Sequence, residues 1–403
     1  SLMKVFNLTV PPINPLRIGF IGVGVRGIEA VKRFMHLEVQ IIAIAEVDAE
    51  AFAKAKRITQ NQILSPSFYT QPDDWRKLCE HPNIDLLYIS TPWELHAPMA
   101  IYAMECGKHV AIEVPLAMTV ADCERIVRTA EATQRHCMML ENVCYDRFEL
   151  ISIELAKQGK LGELVHAEGA YIHDLRHLNF SQTERDAERG KWRIKYSKIF
   201  EGNPYPTHGI APICQAMGIL RTDRLVRLIS MSSLAIGMQQ YAQTHFGSSS
   251  PEAQAHYTGD MNITLLQTAK GKTIVLQHDA TSPRPYSRIF MLSGTKGFIQ
   301  KYPIPQLYFD DREEKALSPE EITSFLNENE HPYYTETAHL RTLLPEQKPM
   351  DIIMDYRLVH CLKNGLPLDQ NVYDGALWSS LAELTQRSVQ GGNIPVTIPD
   401  FLL

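Results

Sequence analysis

The sequence predicts a two-part α/β chain: an N-terminal parallel sheet wound with helices, then an α+β domain carrying a large, mostly antiparallel sheet. Three observations predict it. Short, wholly apolar runs alternate with helical patterns up to residue 143, the mark of a parallel sheet buried on both faces. Long strand-like runs then follow one another with no helix between them, the mark of an antiparallel sheet. The chain has 403 residues, more than one hydrophobic core usually holds. The expected division is 1–143 and 144–403.

The first element is the stretch from Leu16 to Asp48. An apolar run ends in Gly22, Gly24 and Gly27 at the spacing G-x-G-x-x-G; a helical pattern and a second apolar run follow, closing at Glu46. In a strand–helix–strand dinucleotide site of the Rossmann type, Gly22 permits the tight turn. Gly24 lets the backbone approach a pyrophosphate, and Gly27 lets the helix sit close on the sheet. Free N–H groups at the helix start, at Val25 and Arg26, bind phosphate. Glu46 follows Gly27 by 19 residues, where an acid accepts from the adenosine ribose hydroxyls and repels a 2′-phosphate. That favours NAD over NADP. Asp48 is a second candidate for this role, and Arg26 is a counter-argument because it could meet a phosphate.

The alternation continues. Helices are expected over 49–58, 95–107 (Gly107 closing it) and 119–133 (Thr119 capping it), and strands over 84–90, 109–114 and 136–142. Ligands bind at the strand ends of such sheets. This directs attention to Trp93, Glu94, Leu95 and His96, to Glu113 and Val114, and to Asn142. After a helix near 146–159, strands are expected at 162–173, 224–237, 258–269, 271–280 and 288–293, and helices at 350–364 and 374–390. The polar stretch 177–206 is expected as a long loop, and 239–259 as a surface excursion.

Composition narrows the function. A net charge of −6 argues against nucleic acid or an anionic membrane as partner. No apolar run approaches the ~18 residues of a membrane span. The first ten residues lack the apolar core and cleavage site of a secretory signal, so a cytoplasmic protein is expected, although a chain starting at Ser1 is compatible with an export leader removed beforehand. Seven scattered cysteines with no C-x-x-C predict free thiols.

The candidate chemistry lies in the second half. Period-two alternation puts Tyr171 and His173 on one strand face, with Gly169 leaving room beside them. Tyr205 precedes a helix that Thr207 would cap, with His208 in its first turn. A helix N-terminus disfavours a charged imidazole, so His208 there would be a neutral base able to take a proton from a hydroxyl. Prolines frame Tyr286 at 282–287. GTKG at 294–297 reads as a tight turn between strands. The HDLRH run has metal-like histidine spacing but falls at a strand end, so no metal is expected. A G-x-S-x-G nucleophile elbow is absent from the sequence.

These features together resemble the Gfo/Idh/MocA oxidoreductases: the glycine loop, S-T-P-x-x-x-H at 90–96, E-x-P at 113–115 and GTKG. A narrower set resembles glycoside hydrolase family 109, the NAD-dependent α-N-acetylgalactosaminidases: WELH (93–96), HCMMLENVCY (136–145), HAEGAYIHDLRH (166–177), KWR (191–193), YPTHGI (205–210) and RPYS (284–287). Val114 stands where ordinary members of the broad family carry a lysine that assists hydride transfer, and Pro204 where they carry an aspartate, which favours the hydrolase branch. The resemblance implies resident NAD and a cycle of oxidation at C3, elimination, water addition and reduction. It implies cofactor contacts at Val25, Arg26, Glu46, Trp93 to His96, Glu113, Val114 and Asn142. Sugar contacts are implied at Tyr171, Arg193, Tyr205, Pro206, Thr207, His208 and Tyr286. In this reading His208 is the base at the C3 hydroxyl, and Tyr171 or Tyr205 takes the C2 proton with Arg193 as cationic neighbour. An NAD-dependent sugar or polyol dehydrogenase remains the alternative. The open face of the second sheet predicts a dimer or tetramer.

Overall fold

A computed structural model describes residues 3–181 and 193–403. The chain forms two compact units.

The first unit contains six parallel strands: β1 (Leu16–Ile21), β2 (Val39–Ala45), β3 (Ser67–Tyr69), β4 (Leu86–Ile89), β5 (His109–Ile112) and β6 (Cys137–Met139). Their order is β3-β2-β1-β4-β5-β6, the doubly wound arrangement whose switch point lies between β1 and β4. β4 and β5 are buried along their whole length, and β1 everywhere but at Arg17, which is why they read as apolar runs. The expected helices form at Ala49–Thr59, His96–Glu105 and Val120–Thr133, the last capped by Thr119, whose side chain accepts from the Asp122 N–H. Gly107, with φ +85°, takes the left-handed position just beyond the second.

The first unit is Ser1–Arg147 together with Glu330–Ser379 and Asp400–Leu403, whereas the sequence predicts a single division, at 143. The physical reason is a set of buried polar contacts. Arg33, 1% exposed, donates to Asp355 at 2.6 Å and to Gln347 at 2.9 Å, and Tyr88 donates to Asp355 at 3.1 Å. A guanidinium beneath a sheet requires a carboxylate partner, and helix Pro349–Asn364 supplies it.

The second unit is Phe148–Asn329 with Ser380–Pro399. Its eight-stranded sheet runs β13-β12-β11-β7-β10-β9-β8-β14, numbered in chain order from β7 (Leu164–Ile172) through β8 (Leu225–Ser232), β9 (Asn262–Thr268), β10 (Thr273–Asp279), β11 (Met291–Gly294), β12 (Gly297–Gln300) and β13 (Gln306–Phe309) to β14 (Val396–Thr397). Every pairing is antiparallel except β7 with β10. GTKG is the two-residue hairpin between β11 and β12. The polar segment 239–259 carries two helices, Gly237–Phe246 and Pro251–Gln254, because Met238, Ala242, Ala253 and Tyr257 bury a small apolar cluster. Among the described residues no helix is long and apolar enough to cross a membrane.

Candidate active site

The first unit presents the glycine loop at the β1–β4 switch point. Gly22 has φ +86°, and a Cβ there would lie 2.3 Å from the Ser90 carbonyl oxygen. A Cβ on Gly27 would lie 2.2 Å from the Gly22 carbonyl oxygen, whereas one on Gly24 would meet nothing within 4 Å. Tight packing on either side of an open middle position is the cradle a pyrophosphate needs. Helix Val25–Phe34 starts at Gly24 with no side-chain cap, so its first N–H groups remain for an anion. These residues fit NAD.

Glu46 stands at the end of β2 as expected. Its Oε2 accepts from the Val23 N–H at 2.7 Å and its Oε1 from the Asp48 N–H at 2.9 Å, which fixes the carboxylate beside the loop. Asp48 caps helix Ala49–Thr59 instead, accepting from the Ala51 N–H at 2.7 Å. Arg26 turns toward protein carboxylates, donating to Asp351 at 3.2 Å and lying 3.6 Å from Glu113. Asn142 donates to the same Asp351 oxygen at 2.8 Å. Burial pushes the Asp351 carboxyl up, but Arg26 and Arg33 outweigh it and hold it below the usual range; burial dominates at Glu113, which is raised. Asp351 is missing from the sequence-derived site because nothing local marks it.

Trp93, Glu94 and Leu95 form a 3₁₀ turn after β4, partly or largely exposed. His96 differs from them. It is fully buried, with Nδ1 2.5 Å from the Pro115 carbonyl oxygen and Nε2 3.0 Å from that of Thr91. Burial holds its pKa below the ordinary value, and a neutral ring donates to one of the two carbonyls. His96 therefore lies between two strand-end loops and is hydrogen-bonded to one of them. Val114 is half-buried between Glu113 and Pro115.

The second unit gathers the aromatic and imidazole side chains. A Cβ on Gly169 would lie 2.2 Å from the Gly209 carbonyl oxygen, and one on Gly209 would lie 2.8 Å from the Ala170 nitrogen. The room beside Tyr171 is thus taken by helix Thr207–Ala216, pressed backbone-to-backbone onto β7. This contact brings Tyr205 and His208 to Tyr171. The Tyr171 and Tyr205 rings are 4.8 Å apart, and those of Tyr171 and His208 are 5.7 Å apart. Tyr171 Oη lies 3.1 Å from His173 Nδ1, and Tyr205 Oη 3.3 Å from His208 Nε2. Tyr286 joins edge-on, 5.1 Å from the His173 ring and 6.3 Å from that of Tyr171.

Thr207 is not the cap. The Ile210 N–H donates to the Pro206 carbonyl at 3.1 Å, so Pro206 holds the cap position and Thr207 is the first helical residue. Arg193 lies in the helical stretch 193–199; Lys191 and Trp192 of the KWR run lie outside the described residues. His278 carries no local signal in the sequence. The parallel register of β10 sets it opposite Tyr171, ring centroids 6.0 Å apart, and burial with the nearby Arg193 charge pushes its imidazole down to about 4. In the HDLRH run, Asp174 pairs with Arg176.

The fold and the glycine loop define an NAD-binding oxidoreductase framework. Residues 16–141 match the oxidoreductase family with an NAD-binding Rossmann fold. The fold is shared with levoglucosan dehydrogenase solved with NADH and L-sorbose (TM-score 0.71, 19% identity, 96% of this chain and 100% of that one). It is also shared with myo-inositol 2-dehydrogenase from Lactobacillus plantarum (TM-score 0.65, 17% identity, 96% and 100%). Residues 145–402 match the C-terminal domain of glycosyl hydrolase 109. The chain is 50% identical over 405 residues to Glycosyl hydrolase family 109 protein 2 of Phocaeicola vulgatus, covering 99% of this chain and 97% of that protein. It is 47% identical over 407 residues to an alpha-N-acetylgalactosaminidase of Bacteroides fragilis, covering 100% and 95%. The chain belongs to glycoside hydrolase family 109, and it is an enzyme.

Proposed function

We propose that this enzyme hydrolyses α-N-acetylgalactosaminides or related hexosides with a tightly held NAD. The observation that carries the reading is the Tyr171–His173 and Tyr205–His208 cluster. Its proton-carrying groups are phenols and imidazoles, whereas ordinary glycosidases work with a carboxylate pair. Kinship with a named α-N-acetylgalactosaminidase supports the substrate class. Glu46, fixed beside the loop, supports NAD over NADP, and Arg26, facing Asp351 and Glu113, is turned to carboxylates rather than to a 2′-phosphate.

When bound, the cofactor would supply hydride acceptance at C3 of the sugar and its return. The chain's own residues move the protons. With the His208 Nε2 unprotonated, Tyr205 takes the C3 hydroxyl proton as it passes its own to the imidazole, or His208 takes it directly. A C3 ketone acidifies the C2 hydrogen; loss of that proton expels the aglycone from C1, and water adds in its place. Tyr171 and Tyr205 are the C2 candidates from the sequence, each paired with an imidazole. We also propose that the exposed apolar face of the second sheet, with Ile229, Met231, Ile263 and Leu265, joins copies into a dimer or tetramer.

A panel of nitrophenyl glycosides with NAD⁺ tests the reading. It expects aglycone release from the α-N-acetylgalactosaminide without net NADH. NADH accumulating in step with an oxidised sugar would instead establish a dehydrogenase.

A further inference from the structure

Beneath Tyr286 lies a buried ionic group that the chemistry above leaves unused. Glu149, on helix Arg147–Lys157, is 0% exposed and receives two cations: Arg288 Nη2 at 2.6 Å and Lys301 Nζ at 2.7 Å. Arg288, 3% exposed, donates its other terminal nitrogen, Nη1, to the Tyr286 hydroxyl oxygen at 3.0 Å. Tyr302 packs against the Tyr286 ring, centroids 5.9 Å apart, with the Arg288 guanidinium 5.4 Å from its face. The backbone is strained just beyond. Ile289 and Phe290 have φ +55° and +48°, a region a β-branched residue rarely enters. Strain of this kind persists where the surroundings over-determine it, and it clusters at functional sites. Here it lies between Arg288, which turns inward, and β11, while the half-exposed Tyr286 ring faces His173 and Tyr171.

A guanidinium has no acceptor, so the Tyr286 oxygen must accept this bond. Glu149 keeps the donor aimed at that oxygen. We propose that Arg288, anchored by Glu149, is a positioning residue that holds the Tyr286 phenol oxygen so that Tyr286, rather than Tyr171 or Tyr205, takes the C2 proton. This rests on the hydrolytic reading above. In the step, Tyr286 reacts as the phenolate: the C2–H bond breaks and its proton goes to Tyr286 Oη, which becomes the neutral phenol. The C2–H electron pair forms the C1–C2 double bond, and the C1–O pair leaves with the aglycone, as nitrophenolate from a nitrophenyl substrate. When water adds at C1, Tyr286 returns its proton to C2, and the proton lost by the water goes to solvent.

The test uses the NAD-loaded enzyme in D₂O and follows deuterium entering C2 by NMR, beside kcat, KM and a fluorescence titration of NAD. Tyr286→Phe is expected to abolish C2 exchange while leaving NAD binding intact. Arg288→Met is expected to lower exchange and kcat together by about 10–100-fold, the scale of one charge-assisted hydrogen bond, with KM little changed, and Arg288→Lys to recover part of the loss. Wild-type exchange in Tyr286→Phe overturns the proposal even if Arg288→Met fails to fold. So does wild-type exchange in a folded Arg288→Met. Exchange lost through Tyr171→Phe with Tyr286→Phe unaffected moves the role back to Tyr171. Absence of C2 exchange in the wild type defeats the hydrolytic reading itself, and this proposal with it.

Discussion

Replacing Gly169 with alanine separates placement of the Tyr205–His208 pair from its chemistry. The new methyl carbon would start 2.2 Å from the Gly209 carbonyl oxygen and 2.8 Å from Ile213 Cδ1. Neither the carbonyl nor β7, paired on both sides, can swing aside, so helix Thr207–Ala216 must retreat by about 1 Å to restore ordinary contact. Overpacking of this kind costs about 1–3 kcal/mol. In a domain of this size that lowers the melting temperature by about 2–4 °C per kcal/mol. The helix carries His208, and a 1 Å misplacement of a reacting group costs about 100-fold in rate. Gly169→Ala should therefore lose far more activity than stability, as read by aglycone release and a thermal melt, and it should still bind NAD. A variant that melts and turns over like the wild type would refute the idea that this glycine contact sets the pair's position.

Further expectations concern the rest of the chain. Glu46→Ala should weaken NAD binding about 10–100-fold, the scale of hydrogen bonds to a charged group, and Glu46→Arg should narrow the preference against NADP; cofactor titrations check both. His109 and His136 are held down to about 3 and about 4, chiefly by burial, against an ordinary 6.5. Their neutral rings contribute stability that is complete above pH 6.5 and is lost as pH falls toward those values, because the unfolded chain binds protons that the folded one refuses. Melts between neutral pH and pH about 5 should show this slope, and His136→Gln should flatten it. Met231→Lys, on the exposed sheet face, should lower the molar mass seen by light scattering without unfolding the protein.

Much of the fold and site is legible in the sequence because the signals are local. β1, β2, β4, β5 and β6 announce themselves as apolar runs, whereas the three-residue edge strand β3, partly exposed, carries no such run. The glycine loop shows its three roles in its spacing, and period-two alternation puts Tyr171 and His173 on one side. What escapes depends on long-range pairing. Asp355 meets Arg33 across a sequence separation of 322 residues, so nothing near either residue announces that the segment from Glu330 joins the first unit. His278 reaches Tyr171 through a parallel register that consecutive strands do not suggest. Arg288 meets its anchor Glu149 across a sequence separation of 139 residues. His96 and Thr207 fall in the expected loops, but burial and helix start decide what their side chains can touch.

The most direct measurement is a cofactor titration. The enzyme is stripped of nucleotide and then given increasing NAD⁺ while aglycone and reduced nicotinamide are followed together. A resident hydride store predicts no aglycone release without NAD⁺, full release once one equivalent is bound, and no net NADH at the end. Hydrolysis by the stripped enzyme, or NADH growing in proportion to product, would contradict the account.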